Sequence, residues 1–437
     1  LTSEQGGAMG ESWSDLVAAE YMFSHGYSTG ASPWVVGPYA TGNVKAGIRD
    51  YAINKNPLNY GNYGFDSTGD EVHSDGEIWN GTMWEVREAL VDKYNKKFKY
   101  ADKSLQLKCA QASTDGTSSP FPAQACPGNR RWVQLMFDAF LLQQGATSML
   151  DARDAFLAAD RMRFGKANQK VIHQAFARRG MGKKASTPSA DSGDTVPSFA
   201  SAKGKNVRVT FLGTGKGQLF VGDYEARSTP IADLDPKTKK LKNKVQFTPG
   251  KYRMTYVSKK NGFQRFTLTV RGTKDAKGHF RQVKKINSYT NVAAAARGAK
   301  VIGSTPGSRN PDSLIDGTEN TNWGGVTAAN VDKSRPFVAV DLAGKKPVTI
   351  NRIQVSAMLN PAPAEPELVP LAADPDSGSR FTALRQFALE VCVKACTTSK
   401  AKWKRVYTSK ANAFPAIGPR PVAPDLKNGR PIPWASM

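Results

Sequence analysis

Apolar residues recur at helical spacing over residues 1–183 and at alternate positions beyond residue 199. "AMGESWSDLVAAEYMF" opens the helical part, with Met9, Trp13, Leu16, Val17 and Tyr21 on its apolar side. "GEIWNGTMWEVREALVDKYNKK" follows, placing Ile78, Trp79, Met83, Val86, Leu90 and Val91 on one face. "RRWVQLMFDAFLLQQG", "SMLDARDAFLAADRMRFG" and "NQKVIHQAFARRG" keep the same period, so the pattern predicts a lobe of helices burying these faces together. The Gly/Asn/Tyr-rich stretch 26–75 reads as loop.

Residues 184–198, rich in Ser, Thr, Pro and Asp, read as a linker. "NVRVTFL", "GQLFVGDY", "KVQFTPG", "YRMTYVS" and "FQRFTLTV" then predict a small β-sandwich over 199–286. A second β unit over 287–437 is expected from "PFVAVDL", "VTINRIQVSA", "LRQFALEVCV" and "WKRVYTS". Its last strands are not visible, because "PDLKNGRPIPWASM" does not alternate, so the unit reads as incomplete at its C-terminal end. The fold class expected is multidomain α + β, a mostly helical lobe followed by two β-sandwiches, within the two to four domains that 437 residues suggest.

Three local matches read as decoys. "GTGKG" at 213–217 lacks the spacing and following helix of a phosphate loop and reads as a hairpin turn. Asn80-Gly81-Thr82 is a glycosylation sequon inside a predicted helix, and "KTKKLKNK" at 237–244 reads as a solvated loop.

Charge divides the chain. Residues 1–100 hold 8 Lys/Arg against 13 Asp/Glu, and residues 201–300 hold 23 against 5, within an overall net charge of +24. The basic segment is expected to attract anionic polymers or cell-surface glycan, but no recognition helix or base-stacking platform suggests nucleic acid. No run of apolar residues is long enough to span a membrane. Four cysteines stand in two local pairs, Cys109 with Cys126 and Cys392 with Cys396, which fits an oxidising, extracellular setting. The second pair can bond only across a turn, since a straight strand would hold the two Cα atoms about 13 Å apart. The chain opens on Leu1 beside a functional-looking helix, so it reads as a piece of a longer polypeptide.

Glu11 and Asp15 are four residues apart, so a helix directs both carboxylates the same way, beside its apolar face. There they need a partner, because an unpaired buried charge is costly. The segment that carries them, "QGGAMGESWSDL", resembles the fungalysin-type zinc metallopeptidases, a thermolysin-like branch of the gluzincins. In that family a helix with His-Glu-x-x-His supplies two zinc ligands and the general base, and a later Glu-x-x-x-Asp helix supplies the third ligand.

The resemblance implies that Glu11 is the zinc ligand and that Asp15 holds a ligand histidine. "GIRDYAINKNPLNYG" resembles the segment whose arginine binds a substrate carbonyl, here Arg49, and "DEVHSDGEIW" the segment whose histidine stabilises the oxyanion, here His73. The family's orienting aspartate, five residues before that histidine, is replaced by Thr68, leaving Asp70 or Asp66 to orient His73. One catalytic zinc is implied, and the acidic stretch 66–77 could accommodate calcium.

None of His25, His73, His173 and His279 belongs to a His-Glu-x-x-His motif. The resemblance therefore implies that an upstream segment of the same precursor carries it, and that this chain alone is inactive. Residues 287–437 resemble a discoidin (coagulation-factor type C) domain through "SLIDGTENTNWGG" and "VAVDLAGKKPVTINRIQV". The expected function is a secreted zinc endopeptidase cleaving protein or peptide substrates. The alternative is an extracellular glycan- or polyanion-binding protein that retains a degenerate peptidase lobe.

Overall fold

In the computed structural model, Ser3 starts the first helix by accepting from Gly6 N at 3.2 Å, and Gly26 ends it in the left-handed conformation at φ 71°. The structure describes residues 2–27, 31–41, 44–65, 70–111, 121–223, 225–238, 240–321, 323–324, 336–356, 386–396, 398, 400–410, 422–425 and 430–433. Among the described residues seven α-helices come first: α1 (Glu4–His25), α2 (Pro38–Thr41), α3 (Val72–Tyr94), α4 (Lys103–Ala110), α5 (Gly128–Phe140), α6 (Met149–Phe164) and α7 (Gln169–Arg178). None is long and apolar enough to cross a membrane.

Helix α3 is the centre of this lobe. Ile78, Trp79, Met83, Val86 and Leu90 are buried, against Trp132 and Met136 of α5 and Phe176 of α7. Trp13 of α1 meets Trp79 edge-on at 5.3 Å and Phe140 at 4.9 Å, while Val17 and Tyr21, expected on the apolar side, are exposed. Arg87 of α3 is buried beside Glu20 of α1, with Nε donating to Glu20 Oε2 at 2.8 Å. Its guanidinium lies within 4.4 to 5.3 Å of the rings of Trp34, Trp84, Tyr100 and Phe23, whose faces share the desolvated charge.

Three expectations change here. α3 begins at Val72, four residues earlier than the apolar pattern implies, so His73 is helical and not in a loop. α4, capped by Asp102 accepting from Leu105 N, was not anticipated, since "KSLQLKCA" is short and weakly amphipathic. The polar stretch 184–198 is tied to the lobe: Gln5 Nε2 donates to Ser192 O at 2.8 Å, and Thr195 Oγ1 donates to Tyr60 O at 2.6 Å. Cys109 is bonded to Cys126, joining α4 to the turn before α5, and Cys392 is bonded to Cys396.

Beyond residue 199, two sheets enclose a second core. One orders β4 (Lys244–Phe247), β1 (Val207–Gly213) and β7 (Arg281–Ile286), with β1 antiparallel to β4 and parallel to β7. The other orders β3 (Ala232–Asp233), β2 (Gln218–Val221), β5 (Gly250–Ser258) and β6 (Gly262–Val270). Val209, Phe211 and Phe247 of the first face Leu219, Met254, Tyr256 and Leu268 of the second. Residues 213–217 therefore cross from one sheet to the other, and are not the hairpin turn that the sequence suggested.

The remaining strands pair two by two: β8 (Lys300–Ser304) with β9 (Val338–Asp341), β10 (Ala388–Lys394) with β11 (Lys402–Thr408), and β12 (Val422–Asp425) with β13 (Arg430–Pro433). Within residues 348–356, the described part of the expected strand "VTINRIQVSA", only Arg352 and Val355 form β-bridges, whereas the last pair was hidden by Pro424, Pro431 and Pro433.

Reciprocal bonds join the sandwich to residues 316–320. Glu225 N donates to Glu319 Oε2 at 2.7 Å, and Glu319 N donates to Glu225 Oε2 at 2.5 Å. The buried Arg265 Nη2 bonds Glu319 Oε1, and Thr318 Oγ1 and Asn320 Nδ2 each donate to Glu225 Oε1 at 2.8 Å.

Candidate functional site

Two glycines let the backbone bring this site together. A Cβ on Gly76 of α3 would lie 2.7 Å from Ala8 O, so its absence permits α1 and α3 to cross closely beside Glu11. Gly47, at φ 73°, pairs with Val36 where a Cβ would lie 1.8 Å from Val36 O; the loop closes there and delivers Arg49.

Glu11 Oε2 is the meeting point. Arg49 Nη2 stands 3.3 Å from it and His73 Nε2 stands 3.4 Å from it. Glu11 and His73 are 38% and 53% exposed, whereas Arg49 and Asp15 are each 6% exposed, so the cluster has a buried root and an open rim. At the root, Arg49 donates from Nε to Asp15 Oδ2 at 2.9 Å and from Nη2 to Asp15 Oδ1 at 3.1 Å. Asn80 Nδ2 also donates to Asp15 Oδ2 at 2.9 Å, and Ser12 Oγ donates to Asn80 Oδ1 at 2.8 Å. Burial opposes the charge on Arg49, but the bonds and charge of Asp15 outweigh it and raise the pKa above the ordinary arginine value.

Glu71 caps α3 by accepting from His73 N and Ser74 N, and its Oε1 also lies 2.6 Å from His73 Nδ1. That contact places the Nδ1 proton toward Glu71 and turns Nε2 outward to Glu11. Partial burial would raise the Glu71 pKa, but the bonds from His73 and Ser74 hold it down to about 2. Behind it, Asp75 accepts from Gly64 N at 2.7 Å and Glu71 N at 3.0 Å. Glu77 accepts from Asp50 N at 2.7 Å and Tyr51 N at 2.9 Å, which fixes the turn just after Arg49. Burial and the charge of Asp50 push the Glu77 pKa well above the usual range.

Thus Glu11 and Asp15 of α1 form one cluster with Arg49 and His73, which come from segments distant in sequence. Both Asp15 oxygens accept from this chain's Arg49 and Asn80, while none of its four histidines contacts them. Asp66 lies outside the described residues. Asp70 packs its carboxylate against Gly193; the acid on the His73 ring is Glu71. Glu71 was missed because placing the helix start at Gly76 concealed that Glu71 is its cap. Asn80 was set aside as a sequon, yet it is 1% exposed and bonded to Asp15.

A zinc site needs three protein ligands and an open position. The exposed Glu11 carboxylate suits one of them, but among the described residues no three of His, Cys, Asp or Glu are grouped to hold a metal ion. The described part of the acidic stretch 66–77 does not gather into a calcium cage: Glu71, Asp75 and Glu77 are all engaged by backbone N–H groups.

Residues 1–185 match the fungalysin metallopeptidase (M36) family. The chain is 31% identical over 210 residues to the extracellular metalloproteinase mep of Aspergillus terreus, covering 47% of this chain and 29% of that protein. It is 32% identical over 188 residues to the extracellular metalloproteinase MEP of Pyricularia oryzae, covering 42% and 26% respectively. The extracellular metalloproteinase 4 of Arthroderma gypseum is 30% identical over 183 residues, again with 42% and 26% covered. The chain thus spans less than a third of the length of these relatives.

Proposed function

We propose that residues 1–183 form one side of the active site of a secreted zinc endopeptidase acting on proteins or peptides. The observation that carries this reading is the convergence of Arg49 and His73 on one oxygen of the solvent-open Glu11. The likeness to fungalysin metallopeptidases and to relatives named extracellular metalloproteinases supports the reaction class and the location. The two disulfides fit the same setting.

Glu11 would hold the metal, with the other ligands and the general base contributed by a part of the protein outside this sequence. Zinc, when bound, supplies an activated water and polarises the scissile carbonyl. The residues present have separable tasks. Arg49 is oriented by its Nε and Nη2 bonds to Asp15, which leave the second Nη2 proton toward Glu11 at the rim. His73, held by Glu71 through Nδ1–H, presents Nε2 beside it, and with Nε2 also carrying a proton the pair would bind the oxyanion that forms at the carbonyl. Asp15 acts through Arg49 as a positioning residue. The chain by itself would be inactive. Residues 287–437 would serve as a discoidin-like accessory unit.

The test uses the longer polypeptide. Glu11→Gln should lose bound zinc, whereas His73→Ala should keep zinc and lose turnover by roughly 100–1,000-fold, the worth of one oxyanion donor. Metal analysis beside peptide hydrolysis distinguishes them, and zinc loss from His73→Ala with retention in Glu11→Gln would reverse the assignment.

A further inference from the structure

The outer face of the β4–β1–β7 sheet is cationic and uncovered. Along β1, Val207, Val209 and Phe211 point into the core, so Arg208 and Leu212 point out. Register then places Arg208 directly beside Arg281 of β7, and Leu212 beside Lys285. On the other side, Thr210 is registered with Lys244 of β4. Arg208, Lys244, Arg281 and Lys285 are all exposed, and among the described residues none forms an ion pair. Arg281 does act on Asp275, but that carboxylate already accepts from the backbone of His279 and Lys277. Like charges on directly registered residues of neighbouring strands destabilise a sheet. The Arg208–Arg281 pair therefore weakens the sheet modestly, and an anion lying over it would offset that cost.

We propose that this face binds a linear anionic polysaccharide. Neighbouring strands are about 4.8 Å apart and alternate residues about 6.8 Å apart, so the cations form a flat array that can meet successive acidic groups of an extended chain. Between them, Leu212 is 43% and Val283 is 58% exposed, offering apolar contact to the C–H faces of sugar rings. No outward residue of the three strands is aromatic, which disfavours single-stranded nucleic acid, whose binding relies on base stacking. This inference is independent of the peptidase reading.

The full chain is titrated with fluorescent dextran sulfate at ~0.15 M salt, where exposed charges are screened beyond about 8 Å. Unsulfated dextran and a single-stranded oligonucleotide of matched charge serve as comparisons. Arg208→Gln/Arg281→Gln and, separately, Lys244→Gln/Lys285→Gln should each weaken binding about tenfold and flatten its salt dependence. Lys259→Gln/Lys260→Gln, which removes equal charge from the β5–β6 turn, should change it less than about twofold. Thermal melting verifies that each variant is folded. Equal losses from all three double variants would reduce the face to general charge attraction and overturn the proposal. So would absence of binding at this salt, or tighter binding of the oligonucleotide.

Discussion

Arg49 grips both oxygens of Asp15, at 2.9 and 3.1 Å, and with the same Nη2 reaches Glu11 at 3.3 Å. The contact to Asp15 is buried and that to Glu11 is at the rim, so the two carboxylates differ in what they do for stability. Removing one partner of a buried pair costs about 3–5 kcal/mol, whereas an exposed pair contributes about 0–1 kcal/mol. Asp15→Ala should therefore lower the urea midpoint sharply and Glu11→Ala hardly at all. Replacing the pair together, as Asp15→Leu/Arg49→Met, should recover much of the loss; equal effects of Asp15→Ala and Glu11→Ala would contradict this division.

Glu71 links cap and site, and its depressed pKa gives it a pH signature. A carboxylate whose folded value lies below its unfolded value stabilises the fold above the unfolded value, and that contribution disappears as pH falls. For Glu71 the window runs from about 4.5 down to about 2. Denaturant unfolding across that range should show a loss in the parent chain that is smaller in Glu71→Gln. Parallel acid limbs in the two proteins would remove Glu71 from this role.

Glu20 and Arg87 are both fully enclosed, with Asn129 Nδ2 donating to Glu20 Oε1 at 2.6 Å. Glu20→Gln would leave the buried guanidinium with only the part-exposed Glu88, 3.2 Å from Nη1, as counter-charge, at a cost of about 3–5 kcal/mol. A drop below about 1 kcal/mol by chemical denaturation would mean that Glu88, the Tyr100 hydroxyl and the four rings satisfy Arg87 without Glu20.

The Asn80 sequon should remain unmodified in any secreting eukaryotic host, because its amide is buried against Asp15 and Ser12. Peptide mapping by mass spectrometry should find no glycan on the fragment containing Asn80. A modified and folded product would show that the α1–α3 contact opens.

How much of this was legible in the sequence follows from what each signal depends on. The α1, α3, α5, α6 and α7 helices were visible because each buries a continuous apolar stripe such as Ile78, Trp79, Met83, Val86 and Leu90. The start of α3 was not, because Val72 is the one apolar residue of a first turn otherwise made of His73, Ser74 and Asp75 behind the Glu71 cap, polar residues engaged mainly by capping. Strand periodicity located β1 and β2 but could not say that they belong to different sheets, which is a property of long-range pairing. Spacing and resemblance together singled out Glu11, Asp15, Arg49 and His73. The bonds among them depend on Gly47 and Gly76, whose significance appears only when two backbones are seen to touch.

The exchange between Glu225 and Glu319 bears on where this polypeptide can be cut. Composition invites a boundary near residue 286, but Arg265, inside the sandwich, takes its carboxylate from Glu319 on the far side of that boundary. A fragment ending at 286 would keep the Asp223 carbonyl on Arg265 Nε and lose the Glu319 carboxylate, besides the two backbone donors that Glu225 and Glu319 trade. The loss of one buried charge partner, about 3–5 kcal/mol, is comparable to much of a small domain's stability. The sandwich is thus a module by its sheets but not by its electrostatics, and a fragment that retains it intact must extend at least through Asn320.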